Sequence, residues 1–318
     1  MNLLAVGSVA YDSIETPDGK SDHQLGGSAT YFSTASSYFT QVGIVAVVGE
    51  DFRQEDRDLL KQRGVDISGL ATSAGDTFRW SGAYEDDLNT AITIETQLNV
   101  FASFSPSLPE KHAGAPYLFL ANIDPRLQHA VLDQMSTRPR LVACDTMNLW
   151  IDIAKRPLLD LIRKSDTLLI NEAEARQLTG ERAIVRAARK LLRMSLKTLV
   201  IKRGEYGVVV FDRDFTFAVP AYPLIDVVDP TGAGDSFAGG FIGYLAATGS
   251  DDPAAVRRAA IVGSVMASFA VESFGLERLL SLTTADIEER FNAFVDLTWF
   301  HPLAGGQGVP LVARGDPL

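Results

Sequence analysis

The chain has 318 residues, 46% of them hydrophobic and 22% charged, with a formal net charge of −11. That acidic balance argues against general nucleic-acid binding, which needs a basic face, but leaves room for a local basic pocket. The single cysteine, Cys144, excludes an intrachain disulfide and fits a reducing cytoplasm.

The length suits one large domain or two small ones. Residues 3–6 read as a first strand with no basic leader before it, so no signal peptide is expected. A small-residue helix over 29–38 follows. A strand over 44–48 and a helix over 54–62 come next. Residues 77–84 and 90–96 read as two antiparallel strands which, with residues 9–15, would form a small β-sheet lid; the other reading is an edge hairpin. Buried strands are then predicted at 117–121, 141–144, 167–170, 198–201 and 207–211. Helical stretches at 127–134, 173–178 and 183–193 lie between them. This alternation implies an α/β fold with a parallel sheet and helices on both faces. The polar residues following strands, Asn122, Asp145, Asn171 and Lys202, would line the carboxyl edge, where such sheets bind ligands. The apolar stretch 261–271 reads as a core helix, and no segment has the length of a charge-free membrane span. Residues 301–318 are rich in glycine and proline and are expected to be poorly ordered.

The strongest local signal is Asp229-Pro230-Thr231-Gly232-Ala233-Gly234-Asp235-Ser236-Phe237. Pro230 and the glycines break the apolar run before them, and Gly232 and Gly234 let backbone N–H groups approach a ligand. The helix that follows aims its dipole and unpaired N–H groups at that point, favouring an anion. Asp235 is then better suited to act as a base beside a bound phosphate than as the anion binder.

This run resembles the second signature of the PfkB/ribokinase family of carbohydrate and nucleoside kinases, D-T-x-G-A-G-D, with Pro230 as a variant. The resemblance covers about residues 1–295, with its motifs in the expected order. It implies a ribokinase-like three-layer fold with a mainly parallel central sheet, a small β lid, ATP and Mg²⁺, and phosphorylation of an alcohol. It also implies Asp235 as catalytic base and the backbone of Gly232, Ala233 and Gly234 as anion hole, with Thr231 beside the nucleotide. Leu25-Gly26-Gly27-Ser28-Ala29-Thr30-Tyr31 resembles the first signature, G-G-x-x-x-N, so Gly26, Gly27 and position 31 would touch substrate. Tyr31 stands where the family usually has Asn, which removes an amide and adds bulk. Asp12 would hold sugar hydroxyls; taken alone it reads as a turn residue. Asn171 and Glu174 match N-x-x-E, implying Mg²⁺ held through water, and they also fit plain helix N-terminal charge. Lys202, Gly204 and Gly207 resemble the T-x-G-x-x-G turn beside the nucleotide. Lys202 replaces its Thr and reads equally as a phosphate ligand or a solvated charge. Asp145 resembles the start of a D-x-N substrate run, with one extra residue before Asn148; Asn122, at its strand end, is grouped with the substrate side. Arg79 and Asn99 on the lid are further candidates, and Gly49-Glu50-Asp51-Phe52 matches a structural turn.

The four histidines lack ligand spacing, so no zinc site is expected. There is neither G-x-x-x-x-G-K-[ST] nor a strand-linked G-x-G-x-x-G. Two rival readings stay open. One is a nucleoside kinase in which Tyr31, Phe78, Trp80 and Tyr84 stack on a base, although the same aromatics would serve to pack the lid or a homodimer interface. The other is a catalytically silent ligand-binding protein on the same fold.

Overall fold

The computed structural model describes residues 1–85 and 88–299. The chain opens with β1 (Leu3–Val6), β2 (Ala10–Thr16), β3 (Gly19–Gly26), α1 (Ser28–Ser36), β4 (Val42–Val48), α2 (Gln54–Gln62) and β5 (Asp66–Thr72). It continues through β6 (Phe78–Tyr84), β7 (Ala91–Gln97), β8 (Tyr117–Leu120), α3 (Pro125–Gln134), β9 (Leu141–Cys144), α4 (Asn148–Ile153) and α5 (Lys155–Lys164). Next come β10 (Thr167–Asn171), α6 (Glu172–Thr179), α7 (Ile184–Leu192), β11 (Thr198–Lys202), β12 (Val208–Asp212) and β13 (Thr216–Val219). Helices α8 (Ala233–Thr248), α9 (Pro253–Ala270), α10 (Glu277–Ser281) and α11 (Thr284–Thr298) complete it.

Side chains alternate across a strand, so a strand that is apolar at every position needs cover on both faces. The central strands are of this kind. Leu3, Ala5, Ile44, Phe119 and Ala143 pack on one side of the sheet with Phe32, Phe237 and Met266 of α1, α8 and α9. Leu4, Val6, Val45, Leu118 and Val142 pack on the other with Val131, Leu161, Ala175 and Leu191 of α3, α5, α6 and α7. The result is a three-layer α/β fold. Its sheet runs β13-β12-β11-β10-β9-β8-β1-β4-β5 and is parallel except at β12 and β13.

The predicted lid exists as a separate four-stranded sheet, β3-β2-β6-β7. The segments read as lid, 9–15 and 77–101, carry β2, β6 and β7, and residues from Asn99 turn into a 3₁₀ helix. Strand β3 was not expected: Gly-Lys-Ser-Asp-His-Gln-Leu-Gly has no apolar alternation, and only Leu25 and Gly26 are buried. It forms because β2 supplies an antiparallel partner. Residues 225–228 are loop, with Ile225 97% exposed. The tail 301–318 lies outside the described residues. Among the described residues, no helix is long and apolar enough to cross a membrane.

Candidate active site

Asn122, Asp145, Asn171 and Lys202 stand at the carboxyl ends of β8 to β11, four neighbouring strands, as the alternation predicts. Lys202 Nζ donates to Asp145 Oδ2 at 2.7 Å, and Asp145 Oδ1 accepts the Thr146 N–H at 2.7 Å. Lys202 is therefore an ion-pair partner of a buried carboxylate and not a solvated charge. Burial opposes its charge, but Asp145 and Glu174 outweigh burial and hold its pKa above the usual lysine value. Asn122 is turned to another use, accepting from Trp150 Nε1 at 3.1 Å.

Asn171 caps α6. Its Oδ1 accepts the Glu174 N–H at 2.8 Å, and Glu174 Oε2 accepts the Asn171 N–H at 2.9 Å. This reciprocal capping box satisfies two terminal donors, so the plain helix-cap role of both residues is real. It leaves Glu174 Oε1 uncommitted to the cap. The Glu174 carboxyl is buried, and burial, with Asp145 adding to it, pushes its pKa up to about 7 against the pull of Lys202 and the Asn171 N–H. Among the described residues, no group of three or more His, Cys, Asp or Glu is gathered to hold a metal. One buried carboxylate with an oxygen free of the cap, beside Asp145, fits a hydrated dication that takes its other ligands from water and phosphate.

Helix α8 begins at this edge. Gly232 is its N-cap with φ +74°, a conformation that costs an L-residue, and a Cβ there would run into the Tyr31 ring. The Ala233 N–H, expected among the open donors, instead reaches Pro230 O at 3.3 Å because the turn closes on itself there, and the Ser236 N–H reaches Gly232 O at 2.8 Å. Among the described residues, no acceptor is recorded for the N–H groups of Gly232, Gly234 and Asp235, which is the donor set a helix N-terminus presents to an anion. A Cβ on Gly234 would lie 3.0 Å from Lys202 Nζ, so the lysine sits directly beside these donors. Asp235, in the first turn, is pushed up to about 7 by burial and by Asp145, with Lys202 opposing. Asp235 is held rigidly because Gly239 and Gly240 pack α8 tightly on Phe32 of α1 and Val262 of α9.

The lid supplies the opposite wall. Asp12 on β2 is 4% exposed and takes a hydrogen bond from the Gly27 N–H. A Cβ on Gly26 would overlap its carboxylate, while Gly27, at φ +94°, caps α1. Burial pushes Asp12 up to about 7, the Gly27 N–H opposes, and the charges of Asp229 and Asp235 add to the rise. Asp12 and Asp235 thus share one buried electrostatic environment. Trp80 pairs with Asp12 across β2 and β6, which puts both on one lid face. Tyr84, from the same strand, accepts from Thr231 Oγ1 at 3.2 Å. Gln24 of β3 donates to Asp229 Oδ2 at 3.2 Å. Asp229 is fully buried and also accepts the N–H groups of Thr231 at 2.9 Å and Gly275 at 3.3 Å.

The third wall is the turn Gly204–Tyr206, closed by the Arg203 N–H on Gly207 O at 2.8 Å. Asn89, at the end of the lid hairpin, accepts the Glu205 N–H at 3.1 Å, and a Cβ on Gly204 would collide with that amide. Arg203 Nε binds Glu172 Oε2 at 2.6 Å. Arg79 and Asn99 do not enter the centre. Arg79 Nη2 binds Asp51 Oδ2 at 2.9 Å, and Asn99 Nδ2 binds Thr77 O at 2.9 Å. Both anchor the lid to the core, and the Gly49–Phe52 turn is structural, as expected.

A family model described as pfkB family carbohydrate kinase matches residues 2–279. The chain belongs to this family. This pfkB protein is 32% identical to the cytidine kinase of Thermococcus kodakarensis over 249 residues, covering 77% of this chain and 88% of the relative. It shares its fold with the nucleoside kinase of Burkholderia thailandensis solved in complex with inosine, with TM-score 0.76 and 21% identity over 94% of this chain and all of that one. A putative ribokinase II from E. coli, solved with ATP and Mg²⁺, superposes with TM-score 0.76 at 19% identity over 93% of this chain and 99% of that one. As a pfkB member, the protein is a kinase that phosphorylates a hydroxyl group.

In this pfkB kinase the fold thus brings together Asp12, Gly26, Gly27, Tyr31, Asp145, Asn171, Glu174, Lys202 and Gly232–Asp235, and leaves Asn122 beside Trp150. Sequence reasoning gave no role to Asp229, Gln24 or Asn89. Asp229 had a readable signal, an aspartate two residues before a turn N–H. Gln24 and Asn89 had none, since both act across more than a hundred residues of chain.

Proposed function

We propose that this kinase transfers the γ-phosphoryl group of ATP to a hydroxyl of a sugar or nucleoside, with Asp235 as the catalytic base. The observation that carries this reading is the juxtaposition at the α8 N-terminus. Asp235 stands beside open backbone donors and Lys202, within electrostatic reach of Asp12.

Asp12 holds substrate hydroxyls against the lid. Asp235 accepts the proton of the attacking hydroxyl. The N–H groups of Gly232, Gly234 and Asp235, with Lys202, stabilise charge on the transferring phosphoryl group. Glu174, Asp145 and, through water, Asn171 are the groups that would hold Mg²⁺, which neutralises phosphate charge when bound. The turn from Lys202 to Gly207 flanks the nucleotide. A nucleoside acceptor is favoured by Trp80 and Tyr84 on the Asp12 side of the lid, and by the cytidine kinase relative. The exposed lid edge β7, with Ile92 at 46% and Ile94 at 60%, supports a homodimer, which light scattering tests. The buried lone thiol of Cys144 supports a cytoplasmic home.

The test is ATP consumption with Mg²⁺ against free sugars and nucleosides, using Asp235→Asn as control. A substrate-dependent signal lost in the variant supports the assignment. ATP binding without turnover of any acceptor would instead support a silent binding protein.

A further inference from the structure

Two exposed helix faces of opposite charge carry no counter-ion of their own. On α7, Arg186, Arg189 and Arg193 are exposed and fall on one face, at spacings of three and four residues. On α11, Glu289 and Asp296 are exposed and share a face, with exposed Glu288 beside them. Among the described residues, none of these six side chains forms an ion pair. Other helices keep counter-charges within a turn: Lys61 with Asp58 on α2, Arg163 with Asp160 on α5 and Arg176 with Glu172 on α6.

The placement is unfavourable within one chain. Arg186 stands in the first turn of α7, which has no acid, and Asp296 in the last turn of α11, which has no base. Each opposes the dipole of its own helix, and the arginines repel one another along their face. The two faces cannot relieve each other in the same molecule. Helix α7 packs on one side of the central sheet through Ala188 and Leu191, and α11 on the other through Ile287 and Phe294. Charge is uneven along the chain as well: residues 124–200 hold 14 Lys and Arg against 9 Asp and Glu, although the whole chain stands at −11.

We propose that α7 of one copy docks on α11 of a second copy, head to tail. Laid antiparallel, Arg186 meets Asp296 and Arg193 meets Glu289, because each pair of positions is seven residues, or about 10 Å of helix, apart. Val185 and Val295, both about half exposed, flank the outer pair and shield it from water. The antiparallel arrangement also sets the α7 N-terminus beside the α11 C-terminus, so the dipoles attract. The contact is heterologous. Each copy keeps one unused face of each sign, so the assembly propagates into a chain or closes as a ring and does not stop at a dimer. It is separate from the apolar β7 edge. At about 0.1 M salt the Debye length is about 10 Å, so docked pairs attract while the net negative charges of the two bodies are largely screened.

The experiment is sedimentation velocity of the full chain over a range of micromolar concentrations, at about 0.1 M and about 0.5 M NaCl. One variant reverses α7 (Arg186→Glu, Arg189→Glu, Arg193→Glu) and the other reverses α11 (Glu288→Lys, Glu289→Lys, Asp296→Lys). The wild type should form species larger than a dimer that grow with concentration, and its association should weaken about tenfold or more at the higher salt. Each variant alone should stay at the size of the high-salt species. An equimolar mixture of the two should recover the large species, because both signs are exchanged. If either triple variant melts below the wild type, Arg193→Glu and Glu289→Lys take their places in the same mixing. A wild type whose size ignores salt, or a mixture that stays small, overturns the proposal. So does binding of RNA or of anionic phospholipid vesicles that is lost in the α7 variant while the wild type does not self-associate, since the arginine face then serves another partner.

Discussion

Replacing Asp235 with Asn should destroy turnover and stabilise the free protein, and both effects follow from the same buried carboxyl. Its pKa is pushed up to about 7, chiefly by burial. Between the unfolded value near 4 and about 7, the folded state holds a proton that the unfolded chain has released. Stability therefore falls as pH rises through that window, and the full penalty is present above it. The difference corresponds to about 4 kcal/mol at pH 8, reduced to about 3 kcal/mol because the residue keeps partial contact with water. Asparagine has the same shape and no charge to desolvate. With an unfolding entropy of about 2.1 cal/mol/K per residue, the chain should gain about 4 °C in melting temperature at pH 8. The gain should shrink to about half at pH 5.5, where wild-type Asp235 is already protonated in the fold. Over the same comparison kcat should drop about 10²–10⁴-fold, the contribution of a general base. Calorimetry at the two pH values and steady-state kinetics with a cognate acceptor read both effects. A variant within tenfold of wild-type kcat, or a stability gain independent of pH, would refute the argument.

Lys202→Met should leave Asp145 buried without its cation, costing about 3 kcal/mol in denaturant unfolding at pH 8. Because Lys202 opposes the rise of the Asp235 pKa, the acid limb of residual kcat/KM should move to higher pH; an unmoved limb would separate Lys202 from the base. Glu174→Gln keeps an acceptor for the Asn171 N–H and so preserves the cap, but removes the charge. It should raise the Mg²⁺ concentration for half-maximal activity about tenfold, an order typical of lost metal contacts, and raise the melting temperature at pH 8, since a carboxyl pushed up to about 7 by burial is replaced by a neutral amide. Gly232→Ala forces a positive φ and a clash with Tyr31, and should lower both melting temperature and kcat. Gly234→Ala meets only the flexible end of Lys202 and should leave melting temperature nearly unchanged.

The central sheet was legible because its strands are short and apolar on both faces, and because helices separate them. The predicted strand 141–144 and helix 54–62 coincide with β9 and α2. The Gly232–Asp235 run was legible because it combines a turn, backbone access and a helix start within one local stretch. Strands β3 and β5 were not, since edge strands with polar or mixed residues form only when a partner strand is present.

By itself the sequence determined the α/β class, the lid hairpin and the glycine turn that opens α8 beside Asp235, because those depend on short-range periodicity and turn chemistry. Tertiary structure alone decided what each polar group faces. It turned Lys202 onto Asp145, spent Arg79 on Asp51 and bound Asn122 to Trp150. It tied the lid to the Asp229–Thr231 turn before α8 through Gln24 and Tyr84, and it left the Tyr31 hydroxyl unpartnered. These are long-range side-chain contacts made where neighbouring strand ends and the lid meet, and a charge or hydroxyl acquires its role only from the groups with which it is buried.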